Sequence, residues 1–524
     1  MDAADSPALY SRFLRGLALS QQRVAFRAGN EQVSYARAHE TALLWAGSLV
    51  RARAGASAGA VGVLAAKGST AYIGILAALY AGAAVVPLRL DFPAARTRHM
   101  LAASGATGLI ADAGGLAKLP ELLPVLDGVT VVGPSGPPDG GAPVPVVLPT
   151  PQWALERPRA VGSDDPAYIL FTSGSTGNPK GVVITHGNTG HYFRHIDERY
   201  DFTPADVFSQ AFDLNFDCSL FDLFCAWGAG ATSVAVPSQA YRDLPAFLTA
   251  QGVTVWFSTP SAIDLVRRMG GLAAGAMPGL RRSFFAGEAF MCGDAADWSR
   301  AAPDCVIENL YGPTELTVTI AAHRWSEESS PRLAVNGVVP VGALHAGHDQ
   351  LLLGDDGQPN RTEGELCVAG PQLTPGYLDP RDERGRFLDR DHRRWYRTGD
   401  RVRQLDGGAL AYLGRLDSQV QIQGWRIELG EVEHALRDCG VRDAVALGVP
   451  VDAGTELFAF YTGRPLPAAQ LVHRLRQLLP DGAIPKHYRH LERFPLNTNR
   501  KIDRSSLAAQ ANALLSGARR ARGQ

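Results

Sequence analysis

Apolar runs and helix-spaced apolar positions alternate along most of this chain. Residues 36–53 place Ala38, Ala42, Leu43, Ala46, Leu49 and Val50 at the spacing of one helix face. Residues 60–64, 108–111 and 129–132 are short continuous apolar runs, the pattern of strands buried on both faces of a parallel sheet. The run 71–88 is long enough to suggest a membrane span. Its Gly74, Gly82 and Ala-rich spacing predict instead a buried helix, 70–80, turning into a strand, 83–86, that stops at Pro87. A Pro/Gly-rich loop is expected over 134–151. The alternation then resumes with 168–171, 205–210, 221–226, 233–236, 253–257, 282–286 and 306–311, which predicts an α/β fold of sheets covered by helices.

From 349 to 413 the pattern changes to short apolar runs (365–368, 409–413) split by Gly, Pro and Asp, which predicts antiparallel strands in a small barrel-like subdomain. GRLD at 414–417 is the boundary candidate. Residues 1–416 are expected to form the large domain. Residues 417–524, with alternating segments at 431–437, 443–449, 457–462 and 468–478, are expected to form a small mobile α+β domain hinged at Asp417.

Composition narrows the class. With 524 residues, 46% hydrophobic, 20% charged and a net charge of -1, the chain reads as a soluble multidomain protein. That balance gives no electrostatic case for nucleic acid or an anionic membrane. The six cysteines are scattered without CxxC or metal-ligand spacing, which fits reduced thiols in a cytoplasmic enzyme. The first residues lack a basic and apolar leader pattern.

The stretch richest in chemistry is YILFTSGSTGNPKGV, 168–182. A strand-like run leads into small polar and Gly residues whose backbone N–H groups can approach anionic oxygens closely. Thr172, Ser173, Gly174, Ser175, Thr176 and Gly177 form the loop, and Lys180 adds a mobile cation. Gly181 after Lys180 rules out a Walker A loop, whose next residue holds Mg²⁺ through a hydroxyl. NLYGPTE (309–315), YRTGD (396–400), GRLD (414–417) and NTNRKIDR (497–504) follow in order.

Together these strings resemble the adenylate-forming superfamily: acyl-CoA synthetases, luciferases and adenylation domains of nonribosomal peptide synthesis. The resemblance covers nearly the whole chain. It implies that Tyr311 stacks on adenine, Asn309 reads its amino group and Asp400 accepts from the ribose hydroxyls, with Arg415 near the ribose and phosphate side. It implies Gly287, Glu288, Gly312 and Thr314 as further ATP contacts, Glu315 as the Mg²⁺ carboxylate, and Lys501 as the lysine that closes over carboxylate and α-phosphate. VSYARA (33–38), residues 80–93 and GELCVAGPQLTPGYL (364–378) match further motifs and read as structural. Two departures stand out: Arg500 where the family has Gly, and Gln421 and Gln423 where it has Lys and a basic residue.

In amino-acid-activating members an aspartate pairs with the substrate ammonium, and Asp217 in FDCS falls on that position; Asp213 is the competing register. A buried carboxylate suits a buried ammonium and is uncompensated by a fatty or aryl acid. The remaining pocket positions map to Cys218, Phe221, Phe257, Phe284, Ala286, Leu310, Val318 and Thr319. Three phenylalanines with no charge favour a small apolar side chain, proline first and alanine second. The set is similar to that of freestanding L-prolyl– and D-alanyl–carrier-protein ligases. The expected activity is therefore ATP- and Mg²⁺-dependent formation of aminoacyl-AMP, then transfer to the phosphopantetheine thiol of a separate carrier protein. An acyl- or aryl-CoA synthetase is the rival reading, and an inactive nucleotide-binding protein the third.

Overall fold

The computed structural model of the chain describes residues 7–52, 59–137, 141–174, 178–416, 419–451, 454–495 and 502–522. The chain divides into two compact units: Met1–Leu90, Thr97–Phe171 and Lys180–Leu416, and Asp91–Arg96, Thr172–Pro179 and Asp417–Gln524.

The first unit holds three sheets. An eight-stranded sheet runs in the order Gly376–Tyr377, Lys180–Thr185, Pro166–Thr172, Ala84–Leu88, Ala60–Leu64, Ala106–Ala111, Thr130–Val132, Val146–Val147. Its central strands pair in parallel. The nine-stranded sheet is parallel through Thr232–Ala235, Val207–Gln210, Val255–Ser258, Arg282–Phe285 and Val306–Tyr311, with antiparallel strands at both ends. The helix Ser69–Tyr80 is buried at every position from Ala71 to Tyr80, and one apolar core joins it to strands of both sheets. That all-round burial explains its uniformly apolar sequence. Among the described residues no helix is long and apolar enough to cross a membrane.

One expectation is corrected. The strand Ala84–Leu88 continues through Pro87, which lies opposite Val63. Pairing on its other side is confined to Val85↔Tyr168, so the missing proline N–H leaves no ladder bond unmade there.

The third sheet is the antiparallel one expected from 349–413: Pro359–Asn360, Asp349–Leu353, Glu363–Ala369, Arg393–Gln404 and Phe387–Arg390, with Leu410–Arg415 also on Arg393–Gln404.

In the second unit, Ala444–Val451 pairs antiparallel with Gly454–Tyr461, which pairs in parallel with His487–His490. Alternate residues face opposite ways. Ala444, Ala446, Leu457, Ala459 and Tyr461 pack with Val432, Leu436, Leu471 and Leu475. Val445, Leu447, Val449, Phe458 and Phe460 pack with Leu507 and Ala511 of the helix Arg504–Arg522. Period-two burial on both faces is why these strands read as continuous apolar runs. The hairpin Gln419–Ile422/Trp425–Glu428 turns on Gln423 and Gly424 with φ 50° and 82°, the left-handed pair a two-residue turn requires.

Candidate active site

In the first unit the parallel strands Val255–Ser258, Arg282–Phe285 and Val306–Tyr311 end beside the helix Cys218–Gly228. The register sets Phe257 against Phe284, and Phe285 against Asn309. Phe221, Phe257 and Phe284 are fully buried, with ring centres 5.0, 5.2 and 6.2 Å apart and inclined edge to face. Ala286, Leu310 and Val318 belong to the same apolar core, Cys218 packs against it half-buried, and Thr319 is buried. The rings fill their space against one another and against Phe212, Tyr200 and Phe202.

Asp217 stands at the head of Cys218–Gly228 and is 8% exposed. Its side chain makes no capping bond to the helix, so a role as helix cap does not account for it. Its Oδ2 is buried without a hydrogen-bond partner. Burial pushes its carboxyl up to about 6, against the opposing pull of Thr314 and Cys218. Asp213, the competing register, is 44% exposed at its side chain and ion-paired to Arg89.

Asn309 is buried, and its amide N–H groups donate to the carbonyls of Val339 and Pro340 at 3.1 and 3.0 Å. Both donors are therefore engaged, and the amide oxygen is the group left to accept. The Tyr311 hydroxyl donates to Asp400 Oδ2 at 2.6 Å, and Arg415 donates to Oδ1 at 3.0 Å. This fixes the plane of the ring and the direction of the carboxylate. A Cβ on Gly312 would lie 2.6 Å from Thr319 Cα and 2.8 Å from Val318 O, so the chain fold-back after Tyr311 needs glycine. Thr314 opens the short turn Thr314–Leu316. Glu315 is fully buried and accepts from the Tyr377 hydroxyl at 2.7 Å. Gly287 has φ 85°, and Glu288 Oε2 accepts from the Ser261 N–H at 2.9 Å.

Lys180 differs from its expected setting. It is not a mobile loop cation but the first residue of the strand Lys180–Thr185, 4% exposed, with Nζ 5.4 Å from the Tyr377 ring centre. Gly181 and the pairing of Tyr377 with Val182 draw it into the sheet.

In the second unit, Ser173 Oγ donates to the Arg426 carbonyl at 2.7 Å and accepts from the Glu428 N–H at 3.0 Å. Thr172 Oγ1 is buried without a hydrogen-bond partner, and Gly174 follows in the same segment. Ser175, Thr176, Gly177, Asp417 and Lys501 lie outside the described residues.

Sequence reasoning passed over Tyr377 and Gln372, both inside the motif at 364–378 that read as structural. Tyr377 holds Glu315, and Gln372 bonds the backbone on the far side of that residue. The signal was a buried-type polar residue in an otherwise small and apolar turn.

A sheet ending in an aromatic ring, an engaged amide and two buried carboxylates defines a nucleotide- and acid-activating class of enzyme fold. Residues 15–378 match the AMP-binding enzyme family, and the chain belongs to it. It is similar to the L-proline–[L-prolyl-carrier protein] ligase of Streptomyces coelicolor, with 35% identity over 459 residues, 83% of this chain and 84% of that one. Among solved structures it resembles IdnL7, with 59% identity, TM-score 0.75, and 96% and 98% of the two chains covered. It also resembles the Vibrio cholerae adenylation domain AlmE, solved with glycyl-adenosine-5′-phosphate, with 25% identity, TM-score 0.83, and 96% and 98% covered.

Proposed function

We propose that this protein activates a small apolar α-amino acid as aminoacyl-AMP and passes the aminoacyl group to the phosphopantetheine thiol of a separate carrier protein. The observation that carries the reading is Asp217. An ionisable carboxyl with one orphaned oxygen, held away from solvent, is matched by an ammonium and by nothing in a plain acyl chain. The three mutually packed phenylalanines are fully buried and bring no charge to meet a polar side chain, which supports proline first and alanine second.

In the first half-reaction a substrate carboxylate oxygen attacks the α-phosphorus of ATP and pyrophosphate leaves. No general base is required, because the acid is already ionised at neutral pH. The task is to bring two anions together, which falls to Lys501 and Lys180. Mg²⁺ would be held by Glu315 together with the nucleotide phosphates, the sparse protein ligation that suits this ion, and supplies charge neutralisation. Among the described residues no group of three or more His, Cys, Asp or Glu could hold a metal alone. Tyr311, Asn309, Asp400 and Arg415 orient adenine and ribose, and the loop 172–177 holds phosphate. In the second half-reaction the carrier thiol attacks the acyl carbon and AMP leaves.

The test is acid-dependent ATP–pyrophosphate exchange across the standard amino acids, their D-forms, acetate and benzoate. Exchange is expected with small apolar amino acids, L-proline highest, and is expected to vanish in Asp217→Ala and Lys501→Ala. Comparable exchange with acetate or benzoate would overturn the reading and favour a CoA synthetase.

A further inference from the structure

The backbone between Glu315 and Ile320 is held in an unfavourable shape. Thr317 and Val318, both β-branched, have φ of 58° and 65°, in the left-handed region where a branched Cβ crowds the backbone. Two such residues in succession cost on the order of 1–3 kcal/mol each. This path takes the carbonyls of Leu316, Thr317 and Thr319 out of any sheet ladder, and the residues around them are buried.

One side chain meets all three. Gln372, fully buried, donates from Nε2 to the carbonyls of Leu316, Thr317 and Thr319 at 3.0, 3.1 and 2.9 Å. Two N–H groups serve three acceptors, so one bond is shared. The amide orientation is dictated, since a flip would set its oxygen against three carbonyl oxygens. Thr317 Oγ1 returns a bond to the Gln372 carbonyl at 2.7 Å, closing a two-way clasp.

The clasped segment carries Val318 into the apolar core that also holds Phe221, sets buried Thr319 against the Tyr192 hydroxyl at 3.3 Å, and begins directly after Glu315. We propose that Gln372 is a positioning residue for acid selection: through its three carbonyl bonds it fixes the strained Thr317–Val318 turn and with it the wall against which the substrate side chain is judged. The proposal rests on the adenylation reading for the identity of the substrate, but the clasp itself does not depend on whether that acid carries an amino group.

The test compares full-length wild type with Gln372→Glu, which keeps the shape but loses the donors, and Gln372→Leu. The acid giving the fastest wild-type exchange and its next-best competitor, amino acids or not, serve as substrates. The expected result is a 10-fold or greater rise in KM for the preferred acid, with KM for ATP changed less than 2-fold and discrimination between the two acids reduced. Hydrogen exchange should speed up at 316–320. A merely structural role would lower the active fraction and leave both KM values and the discrimination ratio intact, and that outcome overturns the proposal. If neither variant folds, Thr317→Val breaks only the return bond and is read by the same ratio and the same amides. A best acid that lacks an amino group would count against the adenylation reading for amino acids while leaving the Gln372 ratio just as decisive.

Discussion

At the scale of single residues, burying a carboxyl costs stability, and Asp217 shows how much. Its carboxyl lies at about 6 in the folded chain, above the ordinary value near 4, because burial penalises the anion. The folded state therefore binds more protons than the unfolded one between roughly pH 4 and 6, and stability falls as pH rises through that window. At pH 7 the shift costs about 3 kcal/mol. Asp217→Asn should thus be more stable than wild type by about 3 kcal/mol at pH 7 in urea unfolding, with the gap closing near pH 4. Equal stability at both pH values would show that Asp217 is compensated by a partner in the folded chain. The sequence made this residue visible through the family resemblance, in which an aspartate at this position pairs with the substrate ammonium, and the need of a buried carboxylate for a counter-charge supported it. Asp213, the competing register, fits the flanking Ser219 and Phe224 less well, and its exposed side chain and Arg89 ion pair set it apart from the buried Asp217. Gln372 was only faintly legible: a polar residue in a small, apolar turn marks the position, but its work is done on carbonyl oxygens, which leave no trace in residue identity.

At the scale of elements, the helix His186–Arg199 sets His191 and His195 one turn apart, against the connection that carries His345 and His348. His195 stacks on His345 with ring centres 4.0 Å apart, and His191 meets His348 edge to face at 5.5 Å. His345 Nδ1, His348 Nε2 and His195 Nε2 are buried without hydrogen-bond partners. Burial first, then the neighbouring imidazoles and Arg199, push His345 down to about 2. Its unfolded value is near 6.5, so the unfolded chain binds the extra proton and stability falls as pH drops below about 6.5. Between pH 7 and 5 His345 alone should cost about 2 kcal/mol. His345→Phe, which preserves the stack, should flatten the pH dependence of the urea midpoint by that amount. Parallel slopes for the two proteins would reject it. The connection matters to the site because the His345 N–H also donates to the Ile320 carbonyl at 2.7 Å, just past the clasped turn. Element periodicity was readable here: strands such as Val306–Tyr311 and Ala60–Leu64 have the limits their apolar runs predict. The meeting of two histidine pairs was not, because they are about 150 residues apart in sequence and join only through tertiary packing.

At the scale of the molecule, the two units have separate cores, and this has a measurable consequence. Leu475 is fully buried among Val432, Leu436 and Leu471, a cluster made entirely of residues from 420 onward. Truncating it leaves a cavity that costs about 2–5 kcal/mol. Among the described residues that cluster is drawn from the second unit, so the loss should be borne there. In native-state hydrogen exchange of full-length Leu475→Ala, the strands Ala444–Val451 and Gly454–Tyr461 should lose protection by that free energy. The amides of Ala60–Leu64, Pro166–Thr172 and Val306–Tyr311 should exchange as in wild type. Equal loss in both sets would mean that the chain unfolds as one cooperative body, and the division at Leu416 would then describe geometry without describing stability. Loss confined to the second unit would separate the two kinds of variant cleanly. Changes at Asp217, Gln372 or His345 would then be read on the first unit's amides, and effects arising around Lys501 on the second.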